Sequence, residues 1–286
     1  MQEGVIIKGI GGFYYVKSGD EIYECRARGK FRKDDLTPLA GDKVLIEVKN
    51  GKGAIEEIKE RKNVLIRPPV ANIDSMLVVS SASKPEPNMA LIDNFLILGK
   101  KSGIETSILI SKSDLENRED LALIYKNAGY KVIMSSTKTG EGKEEVASLL
   151  RGKITALAGN SGVGKSSVLN MIFSELHLKT GEISEKLGRG RHTTRHTELI
   201  CLGEDTFVLD TPGFSTFELP DIEAEELEGY YPEFSEYLGL CKFKGCAHHK
   251  EPGCAVKAAL EENKINRDRY ENYITMYCQL KAAKKW

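Results

Sequence analysis

The sequence predicts a multidomain chain in three parts: an N-terminal β-barrel of OB type, a central α/β domain, and a short C-terminal helical domain built around cysteines. Three observations predict it. Residues 1–68 hold short, partly alternating β-type runs broken by glycine turns. Residues 69–218 alternate apolar strands with helical segments, as a mostly parallel sheet covered on both faces does. In residues 219–286, three cysteines and two histidines crowd between Cys241 and Cys254, in a stretch too short and polar to bury three thiols as mere packing.

In the first part the runs are Val5-Ile6-Ile7, Phe13–Val16, Glu21–Cys25, Lys43–Glu47 and Gly53–Ile58, with turns at Gly11-Gly12, Ser18-Gly19-Asp20, Gly41-Asp42 and Asn50–Gly53. An SH3-like barrel would read almost the same. Between the third and fourth runs, Arg26, Arg28, Lys30, Arg32 and Lys33 place five basic side chains around Phe31. The segment has 14 Lys and Arg against 11 Asp and Glu, so any attraction to a phosphate backbone is local. A charged, solvated loop or an RNA contact both fit.

After Pro68-Pro69, strands are expected at Ser75–Val79, Thr106–Ile110, Val132–Met134, Ile154–Ala158 and Thr206–Leu209, and helices at 91–101, 116–128 and 143–150. Gly159, Asn160, Ser161, Gly162, Val163, Gly164, Lys165, Ser166 and Ser167 stand between a strand and a helix. This is the setting of a phosphate-binding P-loop. Backbone N–H groups and a helix N-terminus cradle the anion, Lys165 reaches the β- and γ-phosphates, and Ser166 offers its hydroxyl to Mg²⁺.

Two further strand ends carry related chemistry. Asp210-Thr211-Pro212-Gly213 sits where a P-loop hydrolase puts an acid that orients Mg²⁺ through water, followed by a γ-phosphate-sensing N–H at Gly213. Ser111-Lys112-Ser113-Asp114 would read guanine, because one carboxylate can accept N1–H and the exocyclic amine together, and adenine offers neither there. The Lys112 stem would lie along the base. Ser135 and Ser136 would close over the guanine oxygen with backbone N–H groups. In the basic run 188–197, Thr193 or Thr194 could cover Mg²⁺ and the γ-phosphate, and His192 could position the attacking water. That last role is needed because Phe214 follows Gly213, where Ras-like enzymes place a water-orienting Gln. Slow intrinsic hydrolysis, raised by a partner, is therefore expected.

In the third part an acidic helical connector is expected over 223–237. Cys241, Cys246, His248 and Cys254 then form the chosen tetrahedral Zn²⁺ set, with His249 as a competing imidazole. Cys25, Cys201 and Cys278 stand alone and read as packing. An amphipathic helix from Arg267 ends in a basic Lys281–Trp286 tail.

Composition narrows the remaining choices. With 41% hydrophobic and 29% charged residues, 286 residues suit two or three soluble domains, and no run approaches the ~18 apolar residues of a membrane span. The start lacks signal-peptide design, so the cytoplasm is the expected compartment and the cysteines are expected as thiols or metal ligands. A net charge of −1 gives no global pull toward nucleic acid.

The order of the motifs is the most specific feature. Base reading (111–114, 135–136) precedes the P-loop (159–166), with Asp210 last, whereas ordinary GTPases begin with the P-loop. The central domain thus resembles a circularly permuted GTPase. With the OB-like barrel, the Cys-x4-Cys-x-His-x5-Cys spacing and the junction Arg67–Asp74, the whole chain resembles the ribosome small subunit-dependent GTPase A (RsgA/YjeQ) family. The resemblance implies GTP hydrolysis coupled to late maturation of the small ribosomal subunit, stimulated by that subunit. It also implies Mg²⁺ with GTP, one structural Zn²⁺, rRNA contact, no membrane and a monomer. Ser111 departs from the family's Asn or Thr, which bears on guanine affinity. Two other readings stand beside it: a GTP-regulated RNA-binding scaffold with negligible turnover, and an ATP-using P-loop enzyme.

Overall fold

A computed structural model describes residues 1–29, 31, 36–49, 51–173, 197–203, 205–210 and 221–283. Strands β1 (Gln2–Ile10), β2 (Phe13–Ser18), β3 (Glu21–Ala27), β4 (Lys43–Lys49) and β5 (Lys52–Ile58) close a barrel in the order β1-β2-β3-β5-β4. β1 is antiparallel to both β2 and β4, while β5 crosses over to run parallel with β3. That Greek-key closure is of OB type and decides against the SH3-like alternative. The inward positions Ile6, Val16, Cys25, Val44, Ile46 and Ile55 are fully buried. Phe31 joins them at 6% exposure, so the aromatic of the basic segment plugs the barrel instead of facing solvent.

A hairpin of β6 (Val64–Ile66) and β7 (Pro69–Ala71) spans the Pro68-Pro69 pair, where the sequence signalled only a break. Around it the junction is locked. The Asn72 side chain donates to the Gly41 carbonyl oxygen (2.9 Å) and accepts from the Lys62 N–H (2.8 Å). Asp74 accepts from the Ile154 N–H (2.9 Å), and Arg61 forks onto the fully buried Asp42 at 2.7 and 2.8 Å. A Cβ on Gly41 (φ +89°) would lie 1.9 Å from the Ala71 carbonyl oxygen, so this close approach needs glycine.

The central sheet has the order β10-β9-β8-β11-β13-β12, built from β8 (Ser75–Ser81), β9 (Glu105–Ser111), β10 (Lys131–Ser135), β11 (Ile154–Ala158), β12 (Leu199–Gly203) and β13 (Thr206–Asp210). All pairs are parallel except β12 with β13. The antiparallel β12, absent from the sequence reading, edges the sheet, and its flanking Glu198 pairs with Lys8 of the barrel at 3.2 Å. β8 and β11 are buried along their whole length, as strands with helices on both faces are. Alternation sorts the core. Ile108 and Ile110 pack with α1 (Met89–Lys101) and α2 (Glu119–Asn127), while Leu77, Val79 and Leu109 pack with α3 (Lys143–Leu150) and α4 (Lys165–Phe173). The helix expected from 116 begins at Glu119, whose N–H donates to the Asn117 side-chain oxygen (3.0 Å).

The C-terminal part opens on the helical connector expected over 223–237, made of two 3₁₀ helices, Ala224–Tyr230 and Pro232–Phe234; Pro232, which has no N–H, divides them. Helices α5 (Ala255–Glu261) and α6 (Arg267–Ala283) complete it around Leu227, Phe234, Val256, Tyr273 and Met276. Cys278 is exposed on α6, contrary to a packing role. α6 is not merely amphipathic either. Its Arg269 is 1% exposed and donates to Asp93 of α1 (2.5 Å) and, as a fork, to Glu233 (2.7 and 2.9 Å). Tyr125, Tyr130 and Tyr231 present their rings to the guanidinium at 4.8–5.7 Å.

Candidate nucleotide site and metal centre

The chain runs outward from β8 through β9 to β10, then returns to β11 on the other side of β8. Open α/β sheets bind ligands at such a switch point, beyond the carboxyl ends of the strands. The predicted motifs all stand on this edge: 111–114 after β9, 135–136 at β10, 159–167 after β11, and Asp210 as the last residue of β13.

The P-loop bends sharply out of β11. Gly159 has φ +135°, and a Cβ there would sit 2.2 Å from the Val79 carbonyl oxygen. Gly159→Ala is expected to lower stability by about 1–3 kcal/mol and weaken nucleotide binding with it, measured by denaturant titration and fluorescent-GDP binding. Val163 is buried beneath the loop, and Ser161 and Gly162 are exposed at its crest, with Asn160, Gly164 and Ser166 half-buried and Ser167 exposed on α4. Lys165 curls back from the start of α4 and donates to the Gly159 (2.8 Å) and Asn160 (2.9 Å) carbonyl oxygens, which keeps its ammonium over the loop.

Two side chains bind this loop to its neighbours. The buried Ser111 hydroxyl lies within hydrogen-bonding distance of the Val163 carbonyl oxygen and 3.1 Å from that of Ser80. Lys112, in left-handed backbone (φ +60°), donates to the carbonyl oxygens of Gly162 (2.8 Å) and Lys84. Serine is long enough here to tie the end of β9 to the P-loop.

Asp114 lies on an exposed turn, yet its side chain keeps only 15% exposure. The Ser136 hydroxyl donates to its Oδ1 (2.6 Å) and accepts from the N–H groups of Lys138 (3.1 Å) and Thr139 (3.2 Å). Ser113 donates to Glu141 through its hydroxyl (2.5 Å) and to the Ser135 carbonyl oxygen through its N–H (3.1 Å). The Ser136 N–H goes to the Glu141 carbonyl oxygen (3.2 Å), and the buried Ser135 hydroxyl has no partner among the described residues. Glu141 and the Lys84 carbonyl belong to this arrangement without any motif to announce them.

Several predicted positions fall outside the described residues: His192, Thr193, Thr194, Gly213 and Phe214, the Asp210 side chain, and Lys30, Arg32 and Lys33 of the barrel. Of the described basic pair, Arg26 stacks on Phe13 (4.6 Å) and Arg28 is held by Glu56 (2.6 Å) and Glu47 (3.6 Å).

In the C-terminal part, Cys241, Cys246, His248 and Cys254 bring their ligand atoms within 4.8 Å of one another. The Cys241–Cys254 sulfurs are 3.9 Å apart, and His248 Nδ1 lies 3.6, 3.7 and 3.3 Å from the sulfurs of Cys241, Cys246 and Cys254. A tetrahedral ion such as Zn²⁺, with bonds of about 2.3 Å to sulfur and about 2.0 Å to nitrogen, has S···S edges of about 3.8 Å and S···N edges of about 3.5 Å. The donor set fits such an ion. His249 instead packs its ring against Tyr277 (6.5 Å).

The surroundings suit thiolates. N–H groups of His248, Ala255 and Lys257 donate to the sulfurs of Cys246, Cys241 and Cys254 at 3.4–3.5 Å. His248 Nε2 donates to Glu228 (2.7 Å), fixing the tautomer that leaves Nδ1 free for a metal. Without a metal, burial pushes the Cys246 thiol up to about 12 and raises that of Cys254. A cation in their midst reverses that balance. Glu228 and the Tyr270 hydroxyl, which donates to the His248 carbonyl oxygen (2.7 Å), were missed in sequence because neither has a fixed spacing from the ligands.

Comparison with known proteins extends over nearly the whole chain. The family model for the RsgA GTPase matches residues 58–220, and that for the RsgA N-terminal domain matches residues 3–55. The small ribosomal subunit biogenesis GTPase RsgA of Caldanaerobacter subterraneus subsp. tengcongensis is 49% identical, with 99% of this chain and 97% of the relative covered. Its namesake in Agathobacter rectalis is 46% identical over 99% of both chains. The crystal structure of YjeQ from Thermotoga maritima superposes with a TM-score of 0.82 at 37% identity, covering 98% of each chain. That of YloQ, a circularly permuted GTPase, gives 0.79 at 39% identity, covering 99% of this chain and 96% of the other. The rotated loop order, the barrel before it and the cysteine cluster after it thus have one common explanation: the chain belongs to the RsgA GTPase family.

Proposed function

We propose that this protein hydrolyses GTP to GDP and phosphate while bound to the small ribosomal subunit, acting in that subunit's late maturation and stimulated by it. The observation that carries the reading is the convergence of base-reading and phosphate-binding loops on one switch point, tied together by Ser111 and Lys112. The relatives' names supply the small subunit.

In this reading Gly159–Ser167 cradles the phosphates and Lys165 leaves the loop carbonyls for the β- and γ-oxygens. Ser166, Thr194 and, through water, Asp210 would hold Mg²⁺, and the Gly213 N–H would sense the γ-phosphate. When bound, Mg²⁺ neutralises charge on the β- and γ-phosphates. Asp114 reads guanine, with Ser113, Ser135 and Ser136 shaping its turn and Lys112 flanking the base. His192 would orient the attacking water, since Phe214 cannot. Cys241, Cys246, His248 and Cys254 would hold one structural Zn²⁺. Arg26, Arg28, Lys30, Arg32 and Lys33 would meet rRNA phosphates, with Arg28 exchanging its acidic partners for them. The working units are 1–68, 69–218 and 219–286, in a cytoplasmic monomer. Among the described residues no helix is long and apolar enough to cross a membrane.

The test is multiple-turnover phosphate release from GTP, titrated with purified small subunits. Turnover is expected to rise by one or more orders of magnitude, roughly the scale of partner-stimulated GTPases. His192→Ala should abolish most of the rise while sparing GDP affinity. An unstimulated rate at saturating subunits would favour the scaffold reading instead.

A further inference from the structure

We infer that the buried Asp93–Arg269 pair is a latch that transmits the docking of α6 to the guanine-nucleotide site and so sets how tightly that site holds its nucleotide. The inference rests on the nucleotide site proposed above.

The path is continuous in covalent and polar contacts. Lys112, after β9, donates at once to the P-loop (Gly162 carbonyl oxygen) and to the Lys84 carbonyl oxygen beyond β8. The Ser81 hydroxyl also donates to the Lys84 carbonyl oxygen (3.3 Å), and the Ala82 N–H to that of Ser111 (2.7 Å). From Lys84 the chain passes through Pro85, Glu86 and Pro87, whose two rings restrict the backbone, to Asn88. Asn88 caps α1 by accepting from the Leu91 N–H (3.0 Å), and the next turn carries Asp93. A short, stiffened connection therefore joins the loop beneath Lys112 to a fully buried carboxylate.

That carboxylate is held from three sides: by Arg269, by Asn272 of α6 (2.8 Å) and by the Tyr125 hydroxyl (2.9 Å). Arg269 is in turn forked onto Glu233, and the following residues on α6, Tyr270 and Tyr273, donate to the backbone of the metal-ligand loop at His248 (2.7 Å) and Ala247 (3.0 Å). A buried pair of this kind does not stretch gradually, because half-broken arrangements leave a charge without water or partner. α1 therefore has a discrete docked position, and the loop carrying Lys84 shares it. Asp93 and Arg269 act as positioning residues; neither lies in the nucleotide-binding loops.

Hydrogen–deuterium exchange of the full chain with and without GDP tests this, together with the dissociation rate of a fluorescent GDP. In the natural protein GDP should slow exchange at 159–166 and also in α6. Asp93→Asn should keep the first effect, lose the second and raise the dissociation rate about tenfold, a usual size for coupling between sites. A folded Asp93→Asn protein that still protects α6 and changes the rate by less than about twofold overturns the latch. Should Asp93→Asn fail to fold, Tyr125→Phe removes one hydroxyl donor only. It is expected to raise the rate about threefold, and an unchanged rate there overturns the proposal as well. GDP that protects 159–166 but never α6 defeats the latch and leaves the nucleotide site standing. Absence of protection at 159–166 defeats the site, and the latch with it.

Discussion

Asp114→Asn is expected to weaken GDP binding by about a hundredfold to ten-thousandfold while leaving the fold intact. A carboxylate that accepts guanine N1–H and the exocyclic amine makes two charge-assisted hydrogen bonds, each worth about 1.5–3 kcal/mol. The Ser136 hydroxyl occupies one acceptor position on Oδ1, and an ionised carboxylate offers about four, so both guanine donors can still be met. Asparagine keeps the shape but turns one acceptor into a donor facing another donor. It should correspondingly improve binding of xanthosine diphosphate, whose ring carries a carbonyl where guanine has the amine. Calorimetric titration with GDP, ADP and xanthosine diphosphate checks this. GDP affinity that survives the substitution, or a natural protein preferring ADP, removes Asp114 from base reading.

Stripping the metal is expected to undo the C-terminal part while sparing the other two. Residues 221–283 enclose a small core, and two of the cysteines, Cys246 and Cys254, belong to it. A unit this small is marginal without an added constraint. Structural Zn²⁺ contributes about 10–16 kcal/mol of apparent binding free energy in isolated zinc modules, far more than such a core supplies. Chelator treatment, or Cys246→Ser, should therefore make 221–283 protease-sensitive, with loss of close to one metal ion per chain by elemental analysis. The barrel and central sheet have cores of their own and should resist digestion. A chelated protein as resistant as the untreated one would show that Leu227, Phe234, Tyr273 and their neighbours suffice without an ion.

How legible each feature was follows from how locally it is encoded. Gly159–Ser167 could be recognised because a P-loop is one contiguous turn whose strand, glycines and helix lie within about twenty residues. The donor set of the metal cluster was readable for the same reason. Excluding the competing His249, however, required seeing Glu228 bonded to the His248 ring and Tyr277 packed on the other. The burial of Phe31 was not legible, because a residue's neighbours in sequence do not reveal whether its side chain enters a barrel. Cys278 was misread as packing: helical phase is easily misjudged by one position, and that puts it on the exposed side of α6.

By itself the sequence determined three parts, a P-loop, a Ser-Lys-Ser-Asp strand end ahead of it, and a tetrahedral donor set, because each is written in side chains only a few positions apart. Tertiary structure alone decided the parallel β3–β5 closure that makes the barrel OB-like, the edge strand β12 and the role of Ser111 as a tie between loops. It alone also decided the burial of Arg269 against Asp93, residues 176 positions apart. No periodicity or spacing can announce such a pair. A buried charge is stable only where a distant segment brings the opposite charge to meet it, and that meeting is settled by the packing of the whole chain.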